Sequence, residues 1–146
     1  MFKKLMLVFL ALLISGAVNA TNLIKESYGN WYGYEEAVSI SKQGLDKYAQ
    51  AVVDCGGVKH KMSQNIAIYS GSELIARIEE AIEFGDDSKS LKAAKLMIHP
   101  DKKYQAIEIL PPECADGSVT FVQLNANTGL YIETAPDDVF YVIKKK

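Results

Sequence analysis

The sequence contains few of the residues that catalytic and metal sites usually need. It has only two histidines, His60 and His99, and two cysteines. Histidine is the side chain that most readily exchanges a proton near neutral pH, and it is the commonest metal ligand. A glycine-rich phosphate loop and a Gly-x-Ser-x-Gly nucleophile turn are also missing from the sequence. These absences favour a protein without enzymatic activity, and no cofactor or metal ion is predicted.

Two pairs of adjacent carboxylates keep one enzymatic alternative open. Asp86 and Asp87 lie in one predicted loop, and Asp137 and Asp138 lie in another. Neither pair has the alternating oxygen ligands of a calcium-binding loop, and adjacent acids in loops are usually solvated. Two carboxylates from different loops can nevertheless act together as acid and base in a hydrolysis. The alternative function is therefore that of a small exported hydrolase using paired carboxylates.

The chain also lacks a strong excess of either charge. Its 16 lysines and arginines against 18 aspartates and glutamates give a formal net charge of −2. A protein that binds nucleic acid needs a basic stripe or patch. Nucleic acid is therefore not an expected partner.

Hydrophobic runs long enough to cross a membrane are absent. Lys3 and Lys4 precede an apolar run over residues 5–14, which small residues follow as far as Ala20. This order is typical of a cleaved secretory signal peptide, and a run of about ten residues is too short to span a bilayer. We predict a signal peptide at residues 1–20 and a single exported domain at residues 21–146, in the bacterial periplasm or secreted, without an integral membrane segment after cleavage.

The two cysteines, Cys55 and Cys114, both lie in the predicted exported domain. In an oxidising compartment two cysteines allow one pairing, and we predict a structural disulfide between them. Metal ligation and a nucleophilic thiol are the competing interpretations, and both need partner residues. Two cysteines and a nearby His60 lack the paired spacing of zinc sites.

One helix is predicted with a complete set of signals, over residues 72–84. Ser70 followed by Glu73 forms a capping-box pattern at its start. Leu74, Ile78 and other apolar residues then recur at helical spacing on one face. Gly85 supplies the stop. Such an amphipathic helix needs a sheet to pack against.

The remaining pattern is mostly that of short strands with turns between them. Alternation or apolar runs predict strands over residues 28–34, 47–55, 60–69, 104–110, 118–124, 130–134 and 139–143. Pro111 and the proline after it end one of these strands, because proline cannot donate to a ladder. Residues 90–97 fit either a helix or the first strand of a hairpin with Pro100 at its tip, and we favour the hairpin.

Two segments are candidate binding surfaces. The first is the aromatic stretch with Trp31, Tyr32 and Tyr34, since tryptophan and tyrosine supply large contact area at small entropic cost. The second is the predicted hairpin tip with His99, Lys102 and Lys103. The alternatives are that Trp31 belongs to the core and that the tip is an ordinary exposed turn.

The predicted fold is α+β, an antiparallel sheet of six to eight short strands with one amphipathic helix on one face and one disulfide. The expected function is that of a small exported, non-enzymatic binding protein, for example an inhibitor or immunity-type protein. Its expected partner is another envelope or extracellular protein.

Overall fold

A computed structural model describes residues 25–135 and 137–146. The predicted signal peptide at residues 1–20 lies outside this part of the chain. The described residues form ten strands and two α-helices, with two short 3-10 turns at Lys25–Ser27 and Asp46–Tyr48. In chain order the elements are β1 (Gly29–Tyr32), β2 (Val38–Ser41), β3 (Gly44–Leu45), β4 (Val52–Cys55), β5 (Val58–Lys61), β6 (Ser63–Ser70), α1 (Gly71–Glu83), α2 (Ser88–Lys95), β7 (Lys103–Leu110), β8 (Ser118–Gln123), β9 (Thr128–Thr134) and β10 (Asp138–Lys145).

Eight of the strands form one antiparallel sheet that curls almost into a barrel. Their order is β3-β2-β1-β10-β9-β8-β7-β6. The two end strands meet at one point, where the Gln64 side chain accepts a hydrogen bond from the Leu45 amide at 3.0 Å and donates one to the Leu45 carbonyl at 3.5 Å. One side chain therefore replaces the backbone pairing that would close the barrel. The predicted α+β class with a mainly antiparallel sheet is confirmed, and the sheet is more barrel-like than the predicted layer.

The sheet buries both of its faces. One cluster of buried side chains fills the barrel interior: Trp31, Val38, Ile40, Leu45, Ile107, Ile109, Val119, Phe121, Tyr131 and Ile143. A second cluster lies between the outer face and the helices, and it includes Leu74, Ile78, Leu91, Ala106, Val122, Leu130, Ile132 and Phe140. Alternate residues of a strand point to opposite faces, so the double burial explains why β8 and β9 are buried along most of their length.

Helix α1 begins and ends close to the predicted residues. The Ser70 hydroxyl accepts a hydrogen bond from the Glu73 amide at 3.2 Å, which caps one of the free donors of the first turn. Gly71 allows the helix to start tightly against a neighbouring loop, since a Cβ there would lie 1.9 Å from the His99 carbonyl oxygen. Gly85 follows the helix with φ +99°, a conformation that favours glycine.

The hairpin predicted around Pro100 is wrong. Residues Ser88–Lys95 form the second helix, α2, whose Asp87 cap accepts a hydrogen bond from the Ser90 amide. Leu91 and Ala94 are the buried residues of this helix. Residues 99–103 therefore connect a helix to β7, and the molecule has two helices instead of the predicted one.

The C-terminal three-stranded meander, β8 to β10, is confirmed, and β7 ends directly before Pro111 as expected. The strand predicted at residues 47–55 starts later, at Val52, because a 3-10 turn occupies Asp46–Tyr48. No helix in the described part of the chain is long and apolar enough to cross a membrane.

Strands β4 and β5 form a separate two-stranded hairpin outside the main sheet. Every residue of β5 is exposed, and β4 is no more than half-buried. Cys55 at the end of β4 is paired with Cys114 in the β7–β8 connection, with Cα atoms 5.8 Å apart. The predicted disulfide is thus present, and it joins this outlying hairpin to the barrel.

Candidate interaction surface

Trp31 lies inside the barrel. Its side chain is completely buried and packs edge-on against Phe121, with ring centroids 5.0 Å apart. Its indole Nε1 donates a hydrogen bond to the Ser27 carbonyl at 2.8 Å. This placement agrees with the alternative that Trp31 is a core residue, and it leaves no indole surface for a partner.

The two neighbouring tyrosines lie apart from each other. Tyr32 is partly exposed, and the Lys146 ammonium lies 4.9 Å from the centre of its ring. Tyr34 is half-buried at one end of the barrel, where its hydroxyl donates a 2.6 Å hydrogen bond to Glu133. The predicted aromatic site is therefore divided between the core, the outer surface and the barrel end, and a binding role for Tyr32 or Tyr34 stays a prediction.

Several tyrosines gather around Tyr34 at this end of the barrel. Its ring centroid lies 4.8 Å from those of both Tyr131 and Tyr141. A cavity of about 140 Å³ opens beside Tyr34, Tyr48 and Tyr131. Pockets for drug-sized ligands usually measure about 300–1,000 Å³, so this cavity could hold only a small molecule or water.

The environment of these tyrosines opposes their ionisation. The hydrogen bond to Glu133, followed by burial, raises the pKa of Tyr34. Burial, followed by the Tyr48 hydroxyl, raises the pKa of Tyr131. Burial is also the main cause of the raised pKa of Tyr141, and it raises the pKa of Tyr69, which lies apart from this group against the outer cluster. A phenol that resists ionisation is a poor base at neutral pH, so the cluster suits structure or binding better than proton transfer.

We expect these raised pKa values to make the fold sensitive to alkali. The unfolded tyrosines ionise near pH 10, and the folded pKa is higher, so the folded state binds more protons above that pH. The stabilisation is complete below about pH 10 and is lost as the pH rises further. Tyrosinate absorbance, followed together with circular dichroism, should show that Tyr34, Tyr69, Tyr131 and Tyr141 ionise late, during unfolding.

The control for this titration is Tyr34→Phe, which should make the alkaline loss of stability smaller. Ionisation of these four tyrosines near pH 10, with the fold intact, would contradict the assigned burial and hydrogen bonds.

Of the predicted hairpin-tip residues, His99 and Lys102 lie in the α2–β7 connection, and Lys103 is the first residue of β7. His99, Lys102 and Lys103 are all exposed. The backbone of this loop is tied to the start of α1, because the Gly71 amide donates to the Lys102 carbonyl at 2.7 Å and the Ser72 amide donates to the Pro100 carbonyl at 3.1 Å. The loop is thus a fixed, polar surface. Its role in binding stays a prediction.

Three of the four paired carboxylates come together near the C-terminal end of α1, away from the loop at its start. Asp86, Asp137 and Asp138 line one open groove, but two of them already have structural partners. Asp86 accepts a 3.0 Å hydrogen bond from the Phe140 amide, and Asp138 is paired with Arg77 at 2.9 Å. Asp87 caps α2, and its hydrogen bonds from Ser90 lower its pKa. A carboxyl group that acts as a general acid needs a raised pKa. The pKa of Asp87 is lowered, so this residue does not suit that role.

The free edge of β6 is the surface that differs most from an ordinary solvated face. β6 has eight residues, pairs with β7 along its whole length, and meets β3 only through Gln64. Among the described residues, no other strand pairs with residues 65–69. Ile66 and Ile68 are 45% and 61% exposed. Natural edge strands usually carry lysine, proline or a bulge that prevents pairing with other chains, and β6 contains no charged residue and no proline.

A groove runs beside this edge. It has a volume of about 280 Å³ and is lined by Tyr28, Lys42, Gln43, Gly44, Gln64, Asn65, Ile66 and Ile107. Ile107 belongs to the interior cluster, so the groove reaches the barrel core through the gap that β3 leaves. We call β6 together with this groove the open seam.

The open seam was not among the predicted sites. The sequence did contain a signal for it, since residues 63–70 form the longest strand segment without charge before the C-terminal meander. Burial of that segment on both faces would give the same pattern, so only the strand order distinguishes an edge from a central strand.

The described residues contain no group of three or more histidine, cysteine, aspartate or glutamate side chains that could hold a metal ion. The sequence matches no protein-family model, and comparisons with curated proteins and with solved structures found no significant match.

Proposed function

We propose that this chain is an exported, non-enzymatic binding protein that blocks another envelope or extracellular protein through the open seam. The observation that carries the proposal is the long edge strand β6, uncharged and with Ile66 and Ile68 exposed. An exposed edge strand offers unpaired amides and carbonyls to a strand of another protein. A surface that would otherwise promote aggregation is best explained by a partner that covers it.

The disulfide supports export, because such bonds persist in oxidising compartments. Together with the N-terminal signal pattern, it favours a partner in the periplasm or outside the cell. An inhibitor or immunity-type role fits a small domain that acts by occupying a surface instead of transforming a substrate.

Affinity capture with matched lysine variants tests the proposal. Ile68→Lys places a charge on the open seam, whereas Leu96→Lys changes a residue that is 86% exposed beside α2. Loss of apolar contact at the centre of an interface should weaken retention of the partner at least about tenfold for Ile68→Lys and leave Leu96→Lys unchanged. The mature protein would be used to capture partners from the cell envelope and medium, and bound proteins would be quantified.

Circular dichroism of both variants shows whether the fold is kept. Equal retention of the partner by folded Ile68→Lys and by the unchanged protein would contradict the proposed surface. No specific retention by any form would contradict the proposed function itself.

The alternative of a carboxylate hydrolase has one supporting observation, the groove that brings Asp86 and Asp138 together. Both groups have the structural partners described above. We therefore place this alternative second.

A further inference from the structure

We infer that the open seam takes an extended, acidic segment of its partner as an added β-strand. The inference rests on the proposed function and specifies the chemistry of the partner. Two properties of the seam carry it: the direction of its backbone groups and the sign of the charges around it.

The backbone amides and carbonyls at the free edge of β6 can pair with an added strand. In an antiparallel pair, every second residue of an edge strand directs its amide and carbonyl away from its neighbour. The end strand β3 is only two residues long, so it cannot satisfy these groups along β6. The link between the two end strands is made by a side chain, since the Gln64 amide bonds both backbone groups of Leu45.

The side chains along β6 also favour a strand. Ile66 lies opposite Ile107 of the interior cluster, and Ile68 is two residues further on the same face. An added strand with apolar residues at alternate positions could cover both isoleucines. Its other residues would point away from the interior.

The one charged residue in the groove lining is a lysine, and two further lysines lie near the two ends of β6. Lys42 lines the groove, Lys61 lies two residues before β6, and Lys103 lies opposite Ser70 at the other end. Among the described residues none of these three lysines forms an ion pair. The groove lining contains no carboxylate. Glu108 of β7 lies opposite Asn65 and accepts a hydrogen bond from the Tyr69 hydroxyl. Glu73 and Asp101 are near the Ser70 end in sequence, and all three acids lie outside the groove lining.

A second copy of this chain suits the seam less well. Pairing of two β6 strands would place two uncharged edges together but would also bring two sets of unpaired lysines to the same interface. Like charges at an interface oppose association. A partner segment with acidic residues on either side of an apolar centre would instead gain from each lysine.

Designed peptides test the inference with the purified exported protein. The probe is a peptide of alternating valine and threonine with two acidic residues at each end, and its control has lysines in place of the acids. A third peptide keeps the acids but is N-methylated at alternate positions, which removes strand hydrogen bonds. Each exposed ion pair contributes little, so several together should make the acidic peptide bind roughly tenfold tighter than the basic one at low salt.

The expected pattern has three further parts. Salt should reduce the preference for the acidic peptide, Lys42→Glu should reduce it several-fold, and N-methylation on the edge-facing side should abolish binding. Lys89→Glu in α2 is the matched control, because this exposed lysine lies outside the seam.

The outcomes separate this inference from the proposed function. Equal or tighter binding of the basic peptide, binding that survives both patterns of alternate N-methylation, or a dimer joined through β6 would overturn the inference. If no peptide binds while retention of a captured partner still requires Ile68, the inference of an acidic strand is overturned. The proposed binding function would then still hold.

Discussion

Replacement of Trp31 by alanine is expected to lower the free energy of unfolding by about 3–5 kcal/mol. The side chain is completely buried in the barrel interior, where it packs edge-on against Phe121. Its loss would leave a cavity that the surrounding strands can fill only in part. The Ser27 carbonyl would also lose the indole donor at 2.8 Å. Urea denaturation followed by circular dichroism measures the change.

Tyr32→Ala is the matched control, because Tyr32 is the next residue of the same strand and points to the other side. Its ring is partly exposed, so its loss should cost about 1 kcal/mol or less. A Trp31→Ala variant that is as stable as the Tyr32→Ala variant would contradict the position of Trp31 in the core.

This pair of variants also shows what a sequence pattern can and cannot decide. The alternation around Trp31 predicts an extended segment, and β1 confirms it. Alternation alone does not say which face of the strand is covered, because a barrel interior and an exposed ligand platform select the same aromatic residues. Closure of the sheet makes that choice, and closure depends on strands far apart in the chain.

The two helices differ in how well they could be predicted, and the difference is physical. α1 has a cap, a long apolar stripe and a glycine stop, so local signals agree. α2 has only eight residues, of which Leu91 and Ala94 are buried. Two buried positions are too few to distinguish a helical period from the alternation of residues 95–99.

The open seam was harder still to predict. The two end strands of the sheet meet where Gln64 contacts Leu45, 19 residues away in the chain. No periodic pattern in the sequence signals this contact. A polar side chain inside a strand is an ordinary feature of an exposed face. Only the assembled sheet shows that β6 lies at an edge and that Ile66 and Ile68 are about half exposed.

Removal of the disulfide is expected to lower the free energy of unfolding by about 4 kcal/mol. The variant changes Cys55 and Cys114 to serine together, so that no free thiol remains. The bond joins residues 59 apart, and its loss frees the unfolded chain to adopt many more conformations. Guanidinium or urea denaturation of the oxidised protein and of the double variant measures the difference.

Reductant supplies the control for this prediction. It should destabilise the unchanged protein by a similar amount and leave the double variant unaffected. We also expect the loss to extend beyond the hairpin, because the closed loop contains β6, both helices and β7. Faster amide exchange in β6 and β7 as well as in residues 52–61 would agree with this. A cost below about 1 kcal/mol, with faster exchange confined to residues 52–61, would instead show that the bond only anchors the outlying hairpin.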